Sequence, residues 1–251
     1  LTQLFIQAGK DPSAIIGGKL PFIGSNGRAG KSDIMICEAC EYVDTFLKLS
    51  PAISIILNID ADHLEYFGSL ENIIKSFHQF ANQTSKVLIV NGDDENVKKA
   101  IKDIQDVKII TFGLGADNDY SAANIKEEPN VFEDFTLMKQ GTPLTDIRLS
   151  VPGKHNIMNA LAAAATADYF GISGNDIAKG LHDFTGVHRR FERLGTFHDI
   201  VVADDFAHHP TELNATLTAA MHMGFKNVWA IFQPHTYSRT ILQKLCLSLT
   251  T

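Results

Sequence analysis

The sequence predicts an α/β protein whose first and larger part is a mainly parallel sheet with helices on both faces. Two observations carry this expectation. From residue 33 onward, short runs rich in Val and Ile alternate with helical stretches, the pattern of strand–helix–strand units. Two polar runs, Asp204-Asp205-Phe206-Ala207-His208-His209-Pro210-Thr211-Glu212 and Phe232-Gln233-Pro234-His235-Thr236-Tyr237-Ser238-Arg239, each follow such an apolar stretch. Open α/β sheets build sites just beyond the carboxyl ends of buried parallel strands. One run alone reads as a surface turn; two, with histidines and an arginine, suggest a site for an anionic substrate.

The opening residues 1–10 read as the later turns of an amphipathic helix, and the last residues stop mid-helix by pattern. Both ends are therefore expected to be cut from something longer. Runs at 33–37, 53–58, 86–91 and 108–112 are short, β-rich and bounded by polar residues, with helical segments at 70–83 and 94–104 between them. Residues 118–151 differ. There, 120–135 and 144–151 read as short antiparallel strands around the turn Lys139-Gln140-Gly141. An Ala-rich helix at 156–171 suits by propensity, a second follows at 175–184, and then come Gly186 and the basic pair Arg189-Arg190. A boundary near 191–195 divides the chain into domains 1–191 and 192–251. Beyond it, a strand at 200–203, a helix at 210–223 and a strand at 228–232 predict a βαβ start to the second domain.

Composition excludes several function classes. The chain has 251 residues, enough for one large or two modest domains with a proper core. Hydrophobic content of 45% and charged content of 20% are ordinary for a soluble globular protein. A net charge of -7 and the lack of any Lys/Arg cluster argue against a nucleic-acid footprint. No apolar run reaches the ~18 residues of a membrane span, and no charged-then-apolar leader opens the chain, so the expected location is cytoplasmic. Three cysteines make no disulfide framework. Cys37 and Cys40 form a C-x-x-C, but Cys37 ends a strand run rather than opening a helix, and no second Cys/His pair at zinc spacing accompanies it.

Several residues are candidates for chemistry. Glu38 directly follows the run 33–37, and 53–58 leads into Ile59-Asp60-Ala61-Asp62-His63. A carboxylate and an imidazole at the ends of neighbouring strands can converge on a divalent cation, and hard ligands with few protein contacts suit Mg²⁺. The bland readings are helix-capping acids and a turn histidine. Asp62 either orients the imidazole or caps the next helix. Asn156 and Asn159 are three apart at the start of the Ala-rich helix, hence on one face; an amide donates and accepts at once, which suits a nucleobase edge, although Asn156 by spacing alone reads as an N-cap. Arg189-Arg190 by itself reads as an interdomain salt-bridge pair. His209-Pro210 opens a helix whose positive end favours anions. Residues 25–32 end in Gly-Lys-Ser like a phosphate loop, but the opening glycine is Ser25 and a strand follows instead of a helix, so the stretch reads as a surface turn.

The motifs DDFAHHPTE, FQPHTYSR, EACEYVDTFLKLSP, NIDADHLEYF, PGKHNIMNALAA and FTGVHRRF together resemble the Mur ligase family across essentially the whole chain. Within it, the alanine-adding branch is most similar; Phe206 stands where the family usually has Tyr. The resemblance implies a central ATP-binding domain of the phosphate-loop ATPase type, followed by the first part of a Rossmann-like carboxy-terminal domain. Its phosphate loop would precede the helix with which this chain opens, so the chain alone is expected to be inactive. The implied activity is ATP-dependent joining of L-alanine to UDP-N-acetylmuramate through an acyl phosphate, in peptidoglycan biosynthesis, with ATP and Mg²⁺ as cofactors. By motif match, Glu38 and His63 would hold Mg²⁺, and Arg190 would reach ATP phosphate, making these three the catalytic residues. Asn156 and Asn159 would take the adenine side, Asp205 the nucleotide from across the cleft, and His208, His235 and Arg239 the substrate. Two rivals remain: a sister ligase with another acceptor, against which FQPHTYSR argues, and a non-catalytic nucleotide-binding fragment. His78 stands where some relatives carry a carbamylated lysine, which favours the alanine-adding branch.

Overall fold

Strand β5 (Val87–Asn91) shows how the sheet is buried. Val87 and Ile89 face one hydrophobic cluster, Leu88 and Val90 face another, and none of the four is more than 1% exposed. Period-2 alternation between two apolar faces requires cover on both sides, which a parallel sheet obtains from its crossover helices. The computed structural model describes residues 1–126 and 133–233.

The main sheet has six strands in the order β4 (Ile53–Ile56), β5, β6 (Lys108–Gly113), β7 (Tyr120–Lys126), β8 (Asp134–Lys139) and β9 (Thr142–Arg148). The pairs from β4 to β7 are parallel, and β7–β8–β9 form an antiparallel meander. The mixed α/β expectation therefore holds, including the turn at Gln140-Gly141 between β8 and β9. One face carries α1 (Thr2–Gln7), α5 (Lys154–Tyr169) and α6 (Gly174–His182). The other carries α2 (Leu64–Phe67), α3 (Leu70–Asn82) and α4 (Glu95–Ile101). In α5 an alanine run from Ala162 to Ala165 is buried all round, as expected for a helix pressed between sheet and further helices.

Two smaller sheets complete the described chain. β1 (Ser13–Leu20) pairs antiparallel with β2 (Ser25–Arg28) and parallel with β3 (Met35–Cys37). The surface turn expected at 25–32 is thus half strand: Ser25–Arg28 pairs along β1, a contact between segments whose sequence carries no alternating pattern. Beyond α6, β10 (Glu192–Phe197) and β11 (Ile200–Asp204) form an antiparallel hairpin, followed by α7 (Pro210–His222). The strand expected at 228–232 is not formed. A buried parallel strand needs hydrogen-bonding neighbours and covered faces. Trp229 and Ile231 have neither among the described residues and stand 90% and 100% exposed.

Candidate functional site

The loop after β4 carries His63, and hydrogen bonds to its backbone hold it. Asn91 Nδ2 donates to Leu57 O (2.9 Å), and Asn96 Nδ2 donates to Ile59 O (2.9 Å). Asp94 caps α4 by accepting from Asn96 N and Val97 N, and its second oxygen accepts from Ile59 N at 3.4 Å. The loop after β5 therefore braces the loop after β4. His63 ends that loop in the left-handed region at φ 53°, directly before α2. A non-glycine residue there stores backbone strain that its surroundings must hold. Asp62 Oδ1 accepts from His63 N (2.7 Å), and the Tyr42 ring lies 4.5 Å from the imidazole, centroid to centroid.

Two carboxylates face the same imidazole nitrogen. His63 Nε2 is 3.6 Å from Glu41 Oε1 and 3.8 Å from Asp62 Oδ2, while Nδ1 is 3.4 Å from Glu65 Oε1. Ligand atoms of Glu41, Asp62 and His63 all lie within 4.8 Å of one another. Glu38 lies outside this group: its carboxylate accepts from Gly17 N at 2.7 Å, against a glycine whose missing Cβ leaves the room. Sequence reasoning passed over Glu41, since in an irregular loop no periodicity says which acid meets His63. It also passed over Asp44, which accepts from Tyr66 OH (2.7 Å) and Ser76 and raises the Tyr66 phenol above its ordinary pKa. His78, by contrast, is engaged between α3 and α4, Nδ1 to Ala100 O (2.7 Å) and Nε2 to Asn82 Nδ2 (3.0 Å).

The second group gathers around the start of α7. His209 is its N-cap and Pro210 its first residue; Glu212 completes a capping box. Glu212 also accepts from His208 N (3.1 Å), lies 3.6 Å from His208 Nδ1, and is 3.7 Å from Arg190 Nη1. Arg190 is more than half exposed, so this pair is loose and adds little stability. Asp205 accepts from Phe191 N (2.8 Å) and Ala207 N (2.6 Å), which ties the residue before β10 to the segment that leads into α7. Thr211 Oγ1 donates to Asp60 Oδ2 (2.9 Å), tying this group to the His63 loop.

At the start of α5, Gly153 rather than Asn156 is the N-cap. Its φ of 100° explains why: the conformation strongly favours glycine there. Asn156 Nδ2 is turned back to Pro152 O, and Asn159 Nδ2 reaches Asn156 Oδ1 at 3.2 Å, so the two amides do share one face. Between them and Gly153, His155 is exposed as a whole, yet its ring folds over Gly153. Loss of water on that side lowers its pKa, and Asp205 acts in the opposite direction. His235 and Arg239 lie outside the described residues.

Residues 19–167 match the Mur ligase middle domain, and residues 189–250 match the Mur ligase, glutamate ligase domain. The chain is 43% identical over 243 residues to the UDP-N-acetylmuramate–L-alanine ligase of Acetivibrio thermocellus, and 42% identical over 242 residues to that of Caldanaerobacter subterraneus. Each alignment covers 96% of this chain but only 52% of the relative, so the chain spans about half the length of the curated relatives it matches. The crystal structure of UDP-N-acetylmuramate-alanine ligase from Thermotoga maritima superposes with a TM-score of 0.81 at 27% identity, covering 99% of this chain and 55% of that one. With more than half of its residues matched to one family's middle domain, the chain belongs to the Mur ligase family.

Proposed function

We propose that this chain is part of an ATP-dependent ligase that adds L-alanine to UDP-N-acetylmuramate in peptidoglycan synthesis. In this reading residues 1–191 form the central ATP-binding domain and 192–251 the first part of the carboxy-terminal domain. One geometric observation carries it: the amino end of α7, with His208 and Arg190 beside it, is bonded through Thr211 to Asp60, three residues before His63. An anion-favouring helix end and a candidate cation loop are thereby held next to each other. The identity to relatives bearing that enzyme name supports the choice of substrate.

The donors around His63 fit a divalent cation, because two carboxylates and an imidazole nitrogen converge within coordination reach. The motif match assigns Mg²⁺ to His63 and to Glu38, whose carboxylate here accepts from Gly17 N instead, and phosphate to Arg190, where its fork can balance charge on a moving phosphoryl group. Asn156 and Asn159 offer amides to adenine, Asp205 faces the nucleotide, and His208, with His235 and Arg239, takes the substrate carboxylate. ATP, when bound, supplies the phosphoryl group that turns a carboxylate oxygen into a leaving group. The protein's part is positioning and electrostatics.

The test is transfer of labelled L-alanine to UDP-N-acetylmuramate by the product of the full coding sequence that contains residues 1–251. Glycine, L-serine and a murein tripeptide serve as competing acceptors. Preferential, ATP-dependent incorporation of L-alanine is expected. Preference for the tripeptide would mean a sister ligase, and binding of Mg-ATP without transfer to any acceptor would mean a nucleotide-binding module.

A further inference from the structure

We infer that Glu192, which lies outside every motif named above, is a positioning residue for Arg190. The phosphate role of Arg190 rests on the functional reading above; the geometry around it stands by itself. The two residues that flank Arg190 both lie in the left-handed region, Arg189 at φ 62° and Phe191 at φ 44°. Neither is glycine, so each stores backbone strain that its surroundings must hold. In both cases a carboxylate takes the N–H of the strained residue. Glu192 Oε2 accepts from Arg189 N at 2.8 Å, and Asp205 Oδ2 accepts from Phe191 N at 2.8 Å.

Glu192 acts from a regular element. It is the first residue of β10, paired with Asp204 of β11, and its side chain reaches back to the turn that follows α6. Its other oxygen, Oε1, lies 2.6 Å from His188 Nδ1. The Arg189 N–H, with the His188 ring, holds the Glu192 carboxyl below its ordinary pKa. Three backbone bonds pin the same turn: His188 N to Lys19 O (3.1 Å), Arg190 N to Val187 O (3.2 Å) and Phe206 N to Arg189 O (2.9 Å). The Arg189 side chain is drawn aside, its guanidinium carbon 4.3 Å from the centre of the Phe206 ring. Two successive arginines therefore diverge. Arg189 covers Phe206, while Arg190 points to the start of α7, 3.7 Å from Glu212. Without Glu192, Arg189 is released toward negative φ, and the direction of the next side chain changes with it.

The test follows phosphate release by the product of the full coding sequence, with ATP, UDP-N-acetylmuramate and L-alanine. Wild type is compared with Glu192→Ala, Arg190→Ala, Arg189→Gly, and Glu192→Ala combined with Arg189→Gly. Thermal unfolding establishes that each variant is folded, and Glu192→Gln, which keeps one acceptor, replaces Glu192→Ala if that variant is not. In Glu192→Ala, kcat should fall by about tenfold or more, with KM for L-alanine within about twofold of wild type. Glycine adopts the left-handed region without steric cost, so adding Arg189→Gly should raise kcat of Glu192→Ala by about threefold or more. A general loss of structure would not be repaired this way, because glycine loosens the chain. Wild-type kcat in Glu192→Ala, or no recovery in the double variant, overturns the positioning role; if Arg190→Ala still lowers kcat, the functional reading stands. No release by wild type, or wild-type kcat in Arg190→Ala, overturns the phosphate assignment and the positioning role with it.

Discussion

Thr211 Oγ1 donates a 2.9 Å hydrogen bond to Asp60 Oδ2, joining segments that lie 151 residues apart. A hydroxyl bonded to a carboxylate at a partly open site contributes about 1 kcal/mol. Thr211→Ala and Asp60→Ala should each lower stability by at least about that amount. A double-mutant cycle by urea denaturation should return a positive coupling of about 0.5 kcal/mol or more. Thr211→Ser should behave like wild type, and simple additivity of the two losses would mean that the bond contributes nothing.

Asp94 has two duties, capping α4 and accepting from Ile59 N. Asp94→Ala should cost about 1–2 kcal/mol through the cap. It should also speed amide exchange at Ile59, which hydrogen-exchange mass spectrometry can follow. Asp94→Asn should keep most of the cap.

Gly17→Ala should dislodge Glu38. A methyl group at that position collides with the Glu38 carboxylate, which now accepts from Gly17 N. The carboxylate must swing away, while the exposed site limits the loss of stability. A structure of the variant would show the displaced side chain, and an unmoved Glu38 would refute the packing argument.

His155 has a folded-state pKa below its ordinary value because its ring is partly desolvated. The unfolded chain therefore takes up the proton first as pH falls through about 6.5. Stability from the neutral ring is full above that value and declines below it, down to the folded-state pKa. His155→Gln should flatten the stability profile between pH 7.5 and 5.5 in urea titrations. An unchanged slope would show that other groups dominate there.

In the product of the full coding sequence, Glu38→Ala or His63→Ala should abolish phosphate release while leaving the circular dichroism spectrum intact. Phosphate release at the wild-type rate in either variant would remove that residue from the cation assignment.

Much of the fold was legible because local patterns and burial coincide. The Val/Ile runs that became β4, β5 and β6 are apolar on both faces, and such runs are stable only inside a covered parallel sheet. The start of α7 at His209-Pro210 was equally readable, since a proline in the first turn acts through its neighbours in sequence. The pair β1–β2 was not, because its residues lack alternation and their order comes from each other. The segment 228–232 failed in the opposite sense. Its composition suits a strand, but a strand also needs a neighbour, and composition cannot supply one.

The site divides along the same line. The sequence by itself determined that Glu38, His63, Asn156, Asn159, Arg190, Asp205 and His208 stand in motif segments, because spacing along a chain is a sequence property. It also determined that Asn156 and Asn159 share a face, since a helix turns by a fixed angle per residue. Only the tertiary structure decided that Glu41 and Asp62 face His63 Nε2, that Glu38 turns to Gly17, and that Thr211 meets Asp60. These are contacts in loops or between distant segments. No period relates residue number to direction in space there, and the positions are set by the packing of the elements that hold them.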